Sequence, residues 1–215
     1  VERRALATVV ALVLASAASA AGAAASTASY AYAGVSSLRP AYGVGARITL
    51  LEPPHVATGH IAAWVGVGGY GLGPDGSSEW LQVGISILPG GRPALYYELA
   101  RPGRAPRYVM LDGDVDRSVD VAVLETPRRG WWRVWVAGTP VTKPLYLAGS
   151  DGAWRPVATA ESWDSARSGF AFEFERVRTA AEPGGAWQPL QGSVLADPGY
   201  RVLHRSPVGF VAAHQ

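Results

Sequence analysis

From about residue 46 onward the chain alternates short runs of apolar or β-branched residues with clusters of Gly, Pro and Asp, at the spacing of antiparallel strands joined by tight reversals. The runs predict strands at Ala46–Leu51, His60–Val67, Trp80–Ser86, Ala94–Ala100, Tyr108–Leu111, Ser118–Glu125, Trp131–Val136, Leu145–Ala148, Val157–Trp163 and Phe170–Val177, with less regular strands after them. Gly73-Pro74-Asp75-Gly76, Pro89-Gly90-Gly91, Asp112-Gly113-Asp114 and Gly149-Ser150-Asp151-Gly152 supply the turns. Helix signals are almost missing. The pattern predicts an all-β domain of two packed antiparallel sheets.

Successive strand residues point to opposite faces, so parity says which side each strand buries. Phe170, Phe172 and Phe174 share one face and Glu173 and Glu175 the other; Val119, Val121 and Val123 form a second buried set. In the strand from Trp80, the residues Leu81, Val83 and Ile85 face the core, which leaves Trp80, Gln82 and Gly84 on the open side. By the same rule Thr159, Glu161 and Trp163 share a face, and Glu98 points away from Tyr97 and Leu99. A solvated polar residue is the plain reading of Gln82, and a surface carboxylate that of Glu161 and Glu98. Burial of Glu161 against an aromatic would instead raise its pKa toward the range used in general acid–base work.

With 215 residues, 48% of them hydrophobic, the chain suffices for one substantial core. Residues 1–20 read as a signal peptide: Arg3 and Arg4 precede the apolar stretch Ala5 to Ala15, and Ala18-Ser19-Ala20 offers a small-residue cleavage site. The implied location is extracellular, with no membrane association after signal removal. Residues 21–45, rich in Ala, Ser, Gly and Tyr, read as a flexible leader or pro-segment remnant, and 46–215 as the folded domain. There is no cysteine, which excludes disulfides, thiol catalysis and Cys-zinc sites. The formal charge of +2 falls to about +1 once Glu2, Arg3 and Arg4 are removed, and the arginines are scattered, so no nucleic-acid footprint is present.

Five short pieces together carry a resemblance: Ala63-Trp64-Val65-Gly66-Val67, Leu81-Gln82-Val83-Gly84-Ile85, Tyr97-Glu98, Gly113-Asp114 and Ala160-Glu161-Ser162-Trp163. In order and approximate spacing they resemble the glutamic peptidases, or eqolisins, over about residues 62–177. The resemblance implies a lectin-like (concanavalin-like) β-sandwich and cleavage of polypeptides at acid pH by a Gln/Glu pair, here Gln82 and Glu161, without metal or cofactor. It further implies that Trp64 lines the substrate cleft and Glu98 supports the dyad; Trp80 and Trp163 flank the pair by parity. One carboxyl can serve first as base and then as acid, while an amide offers N–H donors to an oxyanion. For such cooperation Gln82 and Glu161 are expected on adjacent strands of one open face. Tyr70 to Ser78 lengthens the turn between the Trp64 and Gln82 strands, as a lid or a determinant of specificity.

The remaining constellations are weaker. His55, His60, His204 and His214 show neither metal-ligand spacing nor an acidic partner in sequence. A strand-entry turn explains Asp112, Asp114 and Asp116 more simply than calcium binding does. The stretch from Gly66 to Gly73 lacks the following helix that would cradle phosphate. Trp131, Trp132, Trp135 and Trp154 motivate an alternative function, a non-catalytic lectin-like carbohydrate-binding module. An inactive peptidase relative is the third reading. The expected partner is a polypeptide substrate, acted on by a monomer.

Overall fold

The computed structural model describes residues 30–54, 56–115, 117–163 and 168–214. The signal segment, the first part of the leader, His55 and Asp116 lie outside them. Among the described residues the strands run, in chain order, β1 Tyr30–Ser37, β2 Gly43–Leu50, β3 His60–Gly69, β4 Glu79–Ile87, β5 Ala94–Ala100, β6 Arg107–Asp114, β7 Ser118–Glu125 and β8 Trp131–Val136. They continue with β9 Thr139–Pro140, β10 Leu145–Tyr146, β11 Val157–Trp163, β12 Ala171–Glu182, β13 Gly185–Pro189, β14 Gly192–Ala196, β15 Tyr200–Ser206 and β16 Gly209–His214. One 3-10 turn, Pro74–Gly76, sits in the β3–β4 connection.

The strands form two antiparallel sheets. One has the order β14-β1-β11-β3-β4-β5-β6; the other has the order β10-β8-β7-β2-β12-β16-β15, with β13 on β12 and β9 on β8. The fold is therefore an all-β sandwich. Its interior follows the parity rule: Ile61, Ala63 and Val65 of β3, Leu81, Val83 and Ile85 of β4, and Ala158 and Ala160 of β11 face Ile48, Val123, Phe172 and Phe174 of the other sheet within one hydrophobic cluster. Trp132 is fully buried in the same core, its indole Nε1 donating to Ser150 Oγ at 2.9 Å.

Residues 30–45 depart from the expected flexible leader. They hold β1 and the start of β2, and β1 lies inside the first sheet, paired with β11 along its whole length and with β14 on its other side. The physical reason is a small-residue interior: Ala31, Ala33 and Val35 face the core while Tyr30 and Tyr32 face out. No helix of the described residues is long and apolar enough to cross a membrane.

Phe172 and Phe174 are completely buried and sit in β12, which is flanked by β2 and β16 in the second sheet. Phe172→Ala is expected to lower unfolding stability by about 3–5 kcal/mol, seen as a lower denaturant midpoint with little change in slope.

Candidate active site

Gln82 and Glu161 lie on one face of the first sheet. The register aligns Glu161 with Ala62 and Gln82 with Gly66, and these two β3 residues share a side with Trp64, which pairs with Thr159 and Gly84. The sequence reading expected the two groups on adjacent strands, and the topology corrects it: β3 runs between β11 and β4, and four residues of register separate the pair. On a flat sheet that offset sets their Cα atoms roughly 16 Å apart. Both line a single cleft of about 300 Å³ with Tyr30, Tyr32, Trp64 and Glu98. Among the described residues no hydrogen bond joins Gln82 directly to Glu161.

Glycines let β3 and β4 approach closely beside Gln82. A Cβ on Gly66 would come within 2.8 Å of Gln82 Cβ, and one on Gly84 would collide with the carbonyl of Ala63 and the backbone of Trp64. Gly66 lines the cleft, so a larger residue there would crowd the Gln82 side chain.

Glu161 is 5% exposed and held by two partners, one on each oxygen. Trp64 Nε1 donates to Oε2 at 2.9 Å, and His60 Nε2 lies 3.4 Å from Oε1. His60 is itself enclosed, stacked on Trp163 at 6.0 Å and edge-on to Tyr30 at 5.9 Å. Trp163 therefore acts on the site through the imidazole. His60, unpartnered in the sequence reading, has an acidic partner after all, contributed by a strand 101 residues away.

Gln82 belongs to a second cluster. Its Nε2 donates to Tyr96 Oη and to Glu98 Oε2, both at 3.2 Å. Glu98 pairs with Gln82 across β4 and β5 and with Tyr108 across β5 and β6. Tyr108 stacks on Tyr96 at 4.8 Å and shares a short hydrogen bond with Ser86 Oγ. Burial raises the Glu98 pKa to about 7, and the negative charge of Glu161 adds to the rise; His60 and a hydrogen bond from Trp80 pull the other way. Burial also pushes the hydroxyls of Tyr30, Tyr32 and Tyr96 upward, with the two glutamates contributing, so these phenols stay protonated.

The wall is aromatic. Trp80 lines the cleft and packs on Tyr70 at 5.2 Å, which brings the start of the β3–β4 connection over one end. Leu72 of the same connection accepts a hydrogen bond from Trp154 Nε1 at 3.1 Å. Trp154 is thus a buried strut. Trp132 is core and Trp131 stacks with Tyr146 on the outer side of the second sheet, so the four tryptophans of the alternative reading do not make one platform. Asp112 and Asp114 fall within β6.

Sequence reasoning missed Tyr30, Tyr32, His60 and Tyr96. Parity was the available signal: His60 stands four residues before Trp64 and so shares its face, and Tyr96 shares the face of Glu98.

Comparison with protein-family models and with curated proteins finds no significant match. Comparison of the structure does: the sandwich has the fold of the glutamic peptidases. Scytalido-glutamic peptidase in complex with a transition-state-analogue inhibitor aligns at a TM-score of 0.53 and 14% identity, covering 86% of this chain and 98% of that one. Its complex with a peptide-based transition-state analogue aligns at 0.50 and 14% identity, over 88% of this chain and all of the other. At that identity the likeness is one of fold.

The Glu98 carboxyl keeps its proton in the folded chain across a window where the unfolded chain loses it, from the ordinary carboxylate value to about 7. Stability therefore falls as pH rises through that window and levels off above it, by about 3 kcal/mol at most from this group. Chemical denaturation between pH 4.5 and 8 should show the decline and Glu98→Gln should reduce it. Glu125, a buried carboxyl on β7 also shifted upward by burial, adds a slope of the same sign that this variant retains.

Proposed function

We propose that the chain is an exported, acid-acting glutamic endopeptidase that works as a monomer without metal or cofactor. The observation that carries this reading is the convergence of Gln82 and Glu161 on one aromatic-walled cleft, in a fold shared with glutamic peptidases. An amide and a carboxylate lining one cleft supply what peptide hydrolysis requires.

The chemistry divides between the two groups. Glu161, with Trp64 and His60 fixing its oxygens, takes a proton from water as the water oxygen bonds to the peptide carbonyl carbon. The carbonyl electrons move onto oxygen, where the Gln82 amide donates to the negative charge. Glu161 then returns the proton to the amide nitrogen, the C–N bond breaks, and an acid and an amine leave. The net consumption is one water per bond. Trp64, Trp80 and Tyr70 offer apolar surface to substrate side chains, and the neighbouring carboxyls favour work in acid, where one of them is neutral.

Digestion of an unfolded protein at acid pH tests the reading, with inhibitors of serine, cysteine, aspartic and metallo peptidases present. The chain should cut under all four. Glu161→Gln should lower kcat by about 10³-fold or more and Gln82→Ala by about 10²–10³-fold, with folding unaltered by circular dichroism. Wild-type turnover in Glu161→Gln removes the dyad, and a wild type silent at every acid pH removes the peptidase.

His60 gives a subtler expectation. Its loss frees one Glu161 oxygen without removing the base, so His60→Ala should lower kcat about tenfold with KM nearly constant, and His60→Gln, which retains a donor, should recover part of it. Steady-state kinetics on a fluorogenic peptide reads the split.

A further inference from the structure

The amide of Gln82 faces the wrong way for an oxyanion. Both Nε2 hydrogens are engaged on the β5 side, by Tyr96 Oη and by Glu98 Oε2, which leaves Oε1 as the free end of the group. Stabilising a negative oxygen over the cleft needs N–H groups there instead. What turns the amide is the state of its partners. An ionised carboxylate only accepts, so Nε2 must point at it; a protonated carboxyl donates and holds Oε1 equally well. The Tyr96 hydroxyl, kept protonated by burial, accepts in the first case and donates in the second.

We propose that Glu98 is an acid-operated positioning residue for Gln82: ionised, it draws the amide hydrogens away from the cleft; protonated, it accepts the turned amide by donating to Oε1 and leaves both Nε2 hydrogens facing the substrate carbonyl. The inference rests on the peptidase reading for its consequence, but its geometry stands without it. In the turned state Oε1 accepts from both Glu98 and Tyr96, while the two Nε2 hydrogens give up those partners to face the cleft.

The surroundings set the pH at which this happens. Glu98 is faced by Gln82 and Trp80 from β4, Tyr96 on its own strand, Tyr108 from β6, His60 from β3, Glu161 from β11, Tyr30 and Tyr32 from β1 and Tyr70 from the β3–β4 connection. Burial and Glu161 raise its pKa to about 7, against the opposing effects of His60 and Trp80. The amide is therefore turned outward below neutrality and withdrawn above it, which ties the acid preference to one proton on one carboxyl.

Two measurements on the full chain decide the matter. In the pH profile of kcat/KM on an unfolded protein substrate, the wild type should fall about tenfold per pH unit above about 7. Glu98→Gln, which can donate to Gln82 Oε1 at any pH, should move that fall upward by at least about one pH unit, as expected when a titrating group is replaced by a neutral donor. An alkaline limb identical to the wild type overturns the switch. The second measurement needs no turnover and, in its first arm, no variant: the side-chain amide resonances of Gln82 in ¹⁵N-glutamine-labelled protein should titrate with a midpoint near 7 in the wild type and not in Glu98→Gln. Wild-type resonances that do not move across neutrality overturn the proposal. Should the wild type hydrolyse nothing, the peptidase reading fails while this titration still decides the switch.

Discussion

Two carboxyl groups buried on one face of a single sheet cannot both carry charge cheaply, and the arrangement around Glu98 and Glu161 follows from that constraint. Each solves the problem differently. Glu161 has a partner on each oxygen, the Trp64 indole donating to one and His60 Nε2 beside the other, whereas Glu98 faces an amide, a phenol stack and the negative charge of its neighbour, and holds a proton to about pH 7. Different surroundings are a common route by which neighbouring carboxyls acquire separate acid and base roles.

The sheet makes this possible by placing a strand of small residues between the two clusters. β3 contributes Ala62, Trp64 and Gly66 to the shared face: a methyl opposite Glu161, an indole that reaches it, and a bare backbone opposite Gln82. The indole both holds the Glu161 carboxylate and forms the wall, so Trp64 ties the position of that carboxylate to the shape of the cleft. On the opposite surface of the same strand Ile61, Ala63 and Val65 are locked into the core, which resists sliding of the register. A one-residue slip would send every site residue of β3 into the interior.

Much of the fold was legible because period two is a strong signal where branched and polar residues alternate. β5, β7, β8 and β11 begin and end where the pattern placed them, and the phenylalanines of β12 are buried as parity required. β1 was not legible, since Tyr-Ala-Tyr-Ala-Gly-Val carries apolar residues on both faces and reads as low complexity; its strand character comes from pairing with β11 and β14. Parity also put Gln82, Glu98 and Glu161 on open faces, but it says nothing of strand order. The interposed β3, the approach of His60 to Glu161 and the Tyr96–Gln82–Glu98 cluster are consequences of tertiary pairing between residues far apart in the chain, His60 and Glu161 by 101 positions.

The proposal at the centre is that the two oxygens of a hydrated peptide carbonyl meet Glu161 and Gln82 in one cleft. A crystal structure of the protein at acid pH with a peptide bearing a tetrahedral mimic of the hydrated carbonyl tests it most directly. The account predicts the mimic in the cleft between Trp64 and Trp80, with one hydroxyl within hydrogen-bond distance of the Glu161 carboxylate and the other oxygen receiving an N–H of Gln82. A mimic seated in the cleft but out of reach of either group, or bound on another surface, would contradict it.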